Sequence, residues 1–111
     1  MSQEAAEKIA ARLAELWRTS RPTILERMSA LHDACAALEV ASANQAARDT
    51  GREAAHKLSG VLGIFGMPQG SEIASAIEAL LQSPAPLAPG DLLWLYSRIV
   101  ELDAVIAAKS S

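Results

Sequence analysis

A chain of 111 residues, 50% of them apolar and 21% charged with a formal net charge of −3, is long enough for one hydrophobic core and too apolar to stay disordered. Acids and bases are interspersed, so no basic field attracts nucleic acid or anionic lipid, and a lone cysteine, Cys35, excludes an internal disulfide or a multi-cysteine metal cage. MSQEAAEKIA lacks the apolar core of a signal peptide and no apolar run approaches the roughly 18–20 residues of a membrane span, so the expected setting is the cytoplasm, away from membranes.

Apolar residues recur at helical spacing throughout, and no segment alternates as a half-buried strand does, which predicts an all-α fold within one domain spanning 1–111. A first helix is expected from about Gln3 to Arg18, capped by Ser2, with Ile9, Leu13, Leu16 and Trp17 on its inner stripe. Thr19 to Pro22 should break it, because proline disfavours helical geometry in the residue before it. The second helix then runs to about Ser42 and buries Ile24, Met28, Leu31, Cys35 and Leu38. After the polar stretch Ser42 to Gln45 comes a third, ending near Gly66, Met67 and Pro68. Ser71 is the expected cap of a fourth helix carrying Ile73, Ile77, Leu80 and Leu81, SPAPLAPG an extended surface connection, and Asp91 the cap of a last helix with Leu92, Leu95, Ile99, Leu102 and Ile106 inside. Five such helices pack most simply as an up-and-down four-helix bundle with an additional N-terminal helix alongside or across one end. Trp17 and Trp94 are expected at or near the core.

The third helix holds the segment HKLSGVLGIFG, with glycines at Gly60, Gly63 and Gly66. Taking about 100° per residue and His56 as zero, Ala54, Ala55, Leu58, Leu62 and Phe65 cluster between roughly 160° and 260°, opposite the histidine. Gly60 and Gly63 fall within about 40° of it, one and two turns on. The imidazole therefore stands on a shelf without side chains. Interior glycines cost about 0.5–1 kcal/mol each relative to alanine, so Gly51, Gly60 and Gly63 together ask for a reason. Close helix packing would put glycines on the apolar side, which Gly60 and Gly63 avoid. Clearance for another macromolecule's reactive group at the imidazole is the functional reading.

These residues resemble the histidine-containing phosphotransfer (HPt) domains of phosphorelays. AHKLSG at Ala55–Gly60, the glycines Gly63 and Gly66, and IASAIEALL from Ile73 are similar to the family's core signature. The resemblance implies a four-helix bundle in which His56 accepts a phosphoryl group from a receiver-domain phosphoaspartate or a histidine kinase and passes it to another receiver. It further implies that Lys57 balances the phosphoryl charge and that Gly60 leaves room for it. A second basic residue is frequent three positions after the histidine, but Ser59 stands here. Glu78 matches the family's glutamine or glutamate that hydrogen-bonds the other imidazole nitrogen, which would fix the tautomer leaving Nε2 unprotonated.

The same resemblance assigns the magnesium ion to the partner receiver, so no cofactor is expected on this chain. No nucleotide-binding glycine motif and no cluster of acids for a metal is evident, which predicts a phosphohistidine carrier without its own ATP site. Docking is expected around the histidine, with Arg52, Glu53, Lys57 and Ser59 as a polar rim beside Gly63, and Ile64 and Met67 as apolar contacts. The chain is expected to act as a monomer. His32 reads as a boundary residue, and its spacing to Cys35 is a weak metal signal. The alternative is a helical adaptor or inhibitor that binds a receiver or kinase without being phosphorylated, favoured by Ser59.

Overall fold

The computed structural model describes residues 2–109, and among them it contains four α-helices and no strand. They are α1 (Gln3–Val40), α2 (Gln45–Ile64), α3 (Pro68–Gln82) and α4 (Pro89–Ala107). Each helix packs on two neighbours, α1 on α2 and α4, and α3 on α2 and α4. Three short connections make the chain run up and down, and one cluster of buried side chains fills the middle.

The N-terminal helix expected as a separate element does not exist: α1 is continuous through Pro22 for 38 residues. Proline in a helix interior costs about 3 kcal/mol, since it removes one N–H bond and crowds the preceding turn. Two features offset this. Pro22 lies on the exposed side, so its ring meets no packed neighbour. Trp17 and Ile24, on either side of it, are 1% and 0% exposed and share a face with Leu31 and Leu38 at a strict spacing of seven. Burying each such side chain contributes roughly 1.5–3 kcal/mol, and a break would throw them out of register. Trp17 also meets Phe65 edge to face at 5.2 Å, with the Lys109 ammonium 5.3 Å from its ring centre.

Burial on α1 begins at Trp17. Ile9 and Leu13, expected on a covered stripe, are 47% and 40% exposed, because the turns before Trp17 run past the end of the other helices. At a fixed rise per residue, α1 with its 38 residues is nearly twice as long as α2 with its 20 and sets the length of the molecule. The whole molecule accordingly measures 53 × 21 × 20 Å.

The helix ends show how each connection is made. Asn44 caps α2 by accepting from the Ala47 N–H at 3.0 Å. Gly66, at φ +69°, turns the chain after α2, with Met67 N–H donating to the Leu62 carbonyl at 2.9 Å. Two expected caps are corrected. α3 starts at Pro68 with no side-chain cap, so Ser71 lies inside its first turn. α4 starts at Pro89, and Asp91 reaches back to accept from the Ala88 N–H at 2.8 Å. Pro89 and Gly90 thus belong to the helix rather than to the connection, in which Leu87 is buried. Arg48, 7% exposed, donates to the carbonyls of Leu80, Leu81 and Ser83 and so closes the C-terminal end of α3. Cys35 is buried against the core, and burial, reinforced by the charge of Glu39, pushes its thiol up to about 11.

Replacing Pro22 by alanine restores the missing N–H without disturbing any packed surface. Pro22→Ala should raise stability by about 2–2.5 kcal/mol, the interior proline penalty less the entropy that proline removes from the unfolded chain. A urea midpoint that fails to rise contradicts a helix running through this position.

Candidate functional site

The site lies where α2 and α3 run side by side. Ala54, Ala55, Leu58 and Leu62 turn inward from α2 and meet Ile73, Ala74 and Ile77 of α3 in the core. The opposite side of α2 therefore carries His56 into solvent, its side chain 71% exposed. Its Nδ1 lies 2.8 Å from a carboxylate oxygen of Glu78 on α3. An ionised carboxylate can only accept, so the shared proton sits on Nδ1, and in the neutral ring Nε2 keeps its lone pair. Glu78 is the less exposed partner, at 22%, and holds the ring from the helix seam rather than from open water.

One turn along the seam, the Ser59 hydroxyl is 2.6 Å from that of Ser75. Ser71, the next rung, donates to the Ser59 carbonyl at 2.8 Å. His56 and Ser59 on α2 thus face Glu78 and Ser75 on α3 as two parallel cross-links, each pair three residues apart on its helix. Ser71, expected from sequence only as a helix cap, and Ser75, not singled out there, both belong to this ladder. The spacing of Ser75 to Glu78, equal to that of His56 to Ser59, is the signal that could have found Ser75.

Gly60 is exposed, and a Cβ built there would meet nothing within 4 Å. At Gly63 a Cβ would touch only the Ser71 hydroxyl, at an ordinary 3.6 Å. Neither glycine is needed for packing, so the space beside the imidazole is open. Gly51 differs: a Cβ there would come within 2.9 Å of Leu81 Cδ1 and 3.2 Å of Ala34 Cβ, which makes it a close-packing glycine between α1 and α2.

A model of the Hpt domain family matches residues 3–108. The chain belongs to the Hpt domain family. No curated protein and no solved structure matches it. Membership implies phosphorelay histidine phosphotransfer in general, and Hpt domains are phosphocarrier modules that interact with receiver domains and kinases.

The remaining expected site residues of this Hpt domain are distributed as follows. Lys57 does not reach toward His56; its ammonium binds Glu53 at 2.9 Å on the same helix, and that contact holds the Glu53 carboxyl below its usual range. Arg52 lies one turn before His56 and is half-buried. Ile64 is 71% exposed, as a docking residue must be, whereas Met67 is partly buried against the core. Trp94, expected near the core, is 38% exposed on α4 beside Leu93, because the inner side of α4 is taken by Leu95, Ile99, Leu102 and Ile106. His32 joins α1 to α4 through Nε2, 2.6 Å from Asp103. Among the described residues no three His, Cys, Asp or Glu side chains are grouped to hold a metal ion, and no helix is long and apolar enough to cross a membrane.

The two kinds of glycine separate in their response to a methyl group. Gly60→Ala should stabilise the fold by about 0.5–1 kcal/mol, the usual helix gain in open space. Gly51→Ala should destabilise it by about 1–3 kcal/mol, since the Ala34 Cβ cannot move without parting α1 from α2. Thermal melting of both variants checks the pair, and shifts of the same sign would contradict the assignment.

Proposed function

We propose that His56 is the phosphoacceptor of a phosphorelay intermediate, taking a phosphoryl group from a phosphoaspartyl receiver domain or a histidine kinase and passing it to another receiver. The observation that carries this reading is the His56–Glu78 contact, which engages Nδ1 of an exposed ring and so leaves Nε2 free, with open space at Gly60 one turn on. In the transfer the Nε2 lone pair forms the N–P bond as the P–O bond to the aspartyl carboxylate breaks, and the carboxylate leaves with that electron pair. Such transfers run in line through a loose transition state, so catalysis is mainly positioning and charge stabilisation.

Glu78 supplies the positioning on this side, and the electrostatic part, magnesium included, falls to the receiver. The chain then needs no ATP site of its own, and a single 1–111 domain serves as a shuttle between cytoplasmic partners. Docking uses the α2–α3 face, with Ile64 as its exposed apolar contact and Arg52, Glu53, Lys57, Ser59 and Gly63 around the histidine.

One observation favours a second reading, a binding module that is never phosphorylated. Ser59 carries no charge and Lys57 is paired with Glu53, so no free cation from these positions faces the imidazole. Incubation with a phosphorylated receiver decides between the two. The relay predicts acid-labile, base-stable phosphate on the wild type and none on His56→Gln, with both proteins folded; uptake unaffected by that substitution rejects it.

The missing cation makes a second expectation. Ser59→Lys gives up the bond to Ser75 but places an ammonium within reach of a phosphoryl group on His56. The phosphohistidine should then survive several-fold longer against hydrolysis, as followed by loss of label from the isolated phosphoprotein. An unchanged or shorter lifetime would mean that the serine ladder already provides what the charge would add.

A further inference from the structure

On the reading of His56 as the phosphoacceptor, we propose that Arg52 is the cation that holds the phosphoryl group on His56 while no partner is docked. During transfer the receiver supplies the stabilising charge. Between two dockings the phosphohistidine has only its own chain around it. A cation on the phosphoryl oxygens then retains charge that would otherwise drain to Nε2 as the N–P bond breaks, and so it slows loss of the group to water.

The two helices of this face offer few candidates. α3 carries no basic residue, and α2 carries three, Arg48, Arg52 and Lys57. Arg48 is spent on the carbonyls of Leu80, Leu81 and Ser83, and Lys57 on the carboxylate of Glu53. Arg52 makes no ion pair within the chain among the described residues. The acids around it are engaged as well: Asp49 accepts from the Gln45 amide at 2.8 Å, Glu53 binds Lys57 at 2.9 Å, and Glu78 holds the imidazole. Among the described residues, Arg52 is the uncommitted cation of α2 and α3.

Its position suits the task. At about 100° per residue Arg52 lies within about 40° of His56 and one turn before it, an i, i+4 neighbour on the helix surface. Cα–Cβ bonds tilt toward a helix N-terminus, so His56 leans toward the turn that carries Arg52. The rungs Ser59–Ser75 and His56–Glu78 continue in the same register to Arg52 and Gln82, four residues beyond the histidine and the glutamate on their helices. Both residues line a cavity of about 350 Å³ together with buried Arg48. The guanidinium therefore has room to move and no carboxylate to leave. Its field also reaches the surroundings of the histidine, since Lys57 first and Arg52 after it hold the Glu53 carboxyl below its usual range. A planar fork of N–H donors can then meet two phosphoryl oxygens at once.

Phosphoramidate tests this without a receiver, because its phosphoryl group passes to the imidazole as ammonia leaves. Wild type and Arg52→Gln should melt at the same temperature. The Arg52→Gln phosphoprotein should lose its label several-fold faster than wild type, with Arg52→Lys between the two. Phosphorus NMR adds a readout that a structural role would not move: the last phosphoryl proton should titrate about 1 pH unit higher in Arg52→Gln, because the guanidinium favours the dianion. Label on His56 whose lifetime and titration are both unchanged by Arg52→Gln would overturn the role of Arg52 and leave His56 as the acceptor. A shorter lifetime with an unchanged titration would overturn it too, by making Arg52 a structural residue. Label taken up equally by His56→Gln would remove both roles together.

Discussion

Between Nδ1 of His56 and the carboxylate of Glu78 lie 2.8 Å, and this one bond between α2 and α3 turns a surface histidine into an oriented one. It exists because the two helices share an apolar seam. Leu58 and Leu62 on one side, Ile73 and Ile77 on the other, are nearly inaccessible and fix the helices in rotation as well as in distance. The tight turn at Gly66 sets their register, so residues 22 apart in sequence come into contact. Arg48 closes the far end of the same pair of helices by binding three carbonyls at the end of α3. The chemistry of the ring is therefore a consequence of core packing several ångströms below it.

Along the α2–α3 seam beyond that bond the side chains are small and uncharged. Ser59, Ser71 and Ser75 form a hydroxyl ladder, Gly60 opens onto solvent, and Lys57, next to the histidine in sequence, is held by Glu53. For an Hpt domain this is a division of labour carried far. The chain offers an oriented ring with clearance beside it, and on the function proposed above the charge stabilisation of a transferring phosphoryl group falls to the partner. Gly60 opens that space without any packing need for a glycine, whereas Gly51 is a packing requirement with the same residue type.

Much of this arrangement was legible in the sequence, and the misses have physical causes. Helical periodicity placed His56 opposite Leu58 and Leu62, and the resemblance matched Glu78 to it, because side-chain direction on a well-packed helix follows from phase alone. Pro22 was misread because a local preference was set above a longer pattern. Trp17, Ile24, Leu31 and Leu38 keep one phase across the proline, and only an unbroken helix can keep it. Ser71 and Asp91 were assigned as caps from residue type, while prolines at 68 and 89 opened both helices earlier. Trp94 and Ile9 were placed inside from hydrophobicity, although burial depends on whether another helix lies opposite, which a single stripe does not reveal. Ser75 escaped notice because its hydroxyl pair crosses between two helices, and its spacing to Glu78 gains meaning only once Glu78 is set against His56.

The central claim is that His56 presents Nε2, and not Nδ1, to its partner. Nitrogen-15 NMR of the imidazole, recorded before and after phosphorylation by a receiver, measures this directly. The account predicts a proton on Nδ1 in the free neutral ring and phosphorus coupled to Nε2 in the product. Phosphorus on Nδ1, a proton on Nε2 in the free neutral ring, or an unchanged His56 spectrum while label is taken up elsewhere would contradict it.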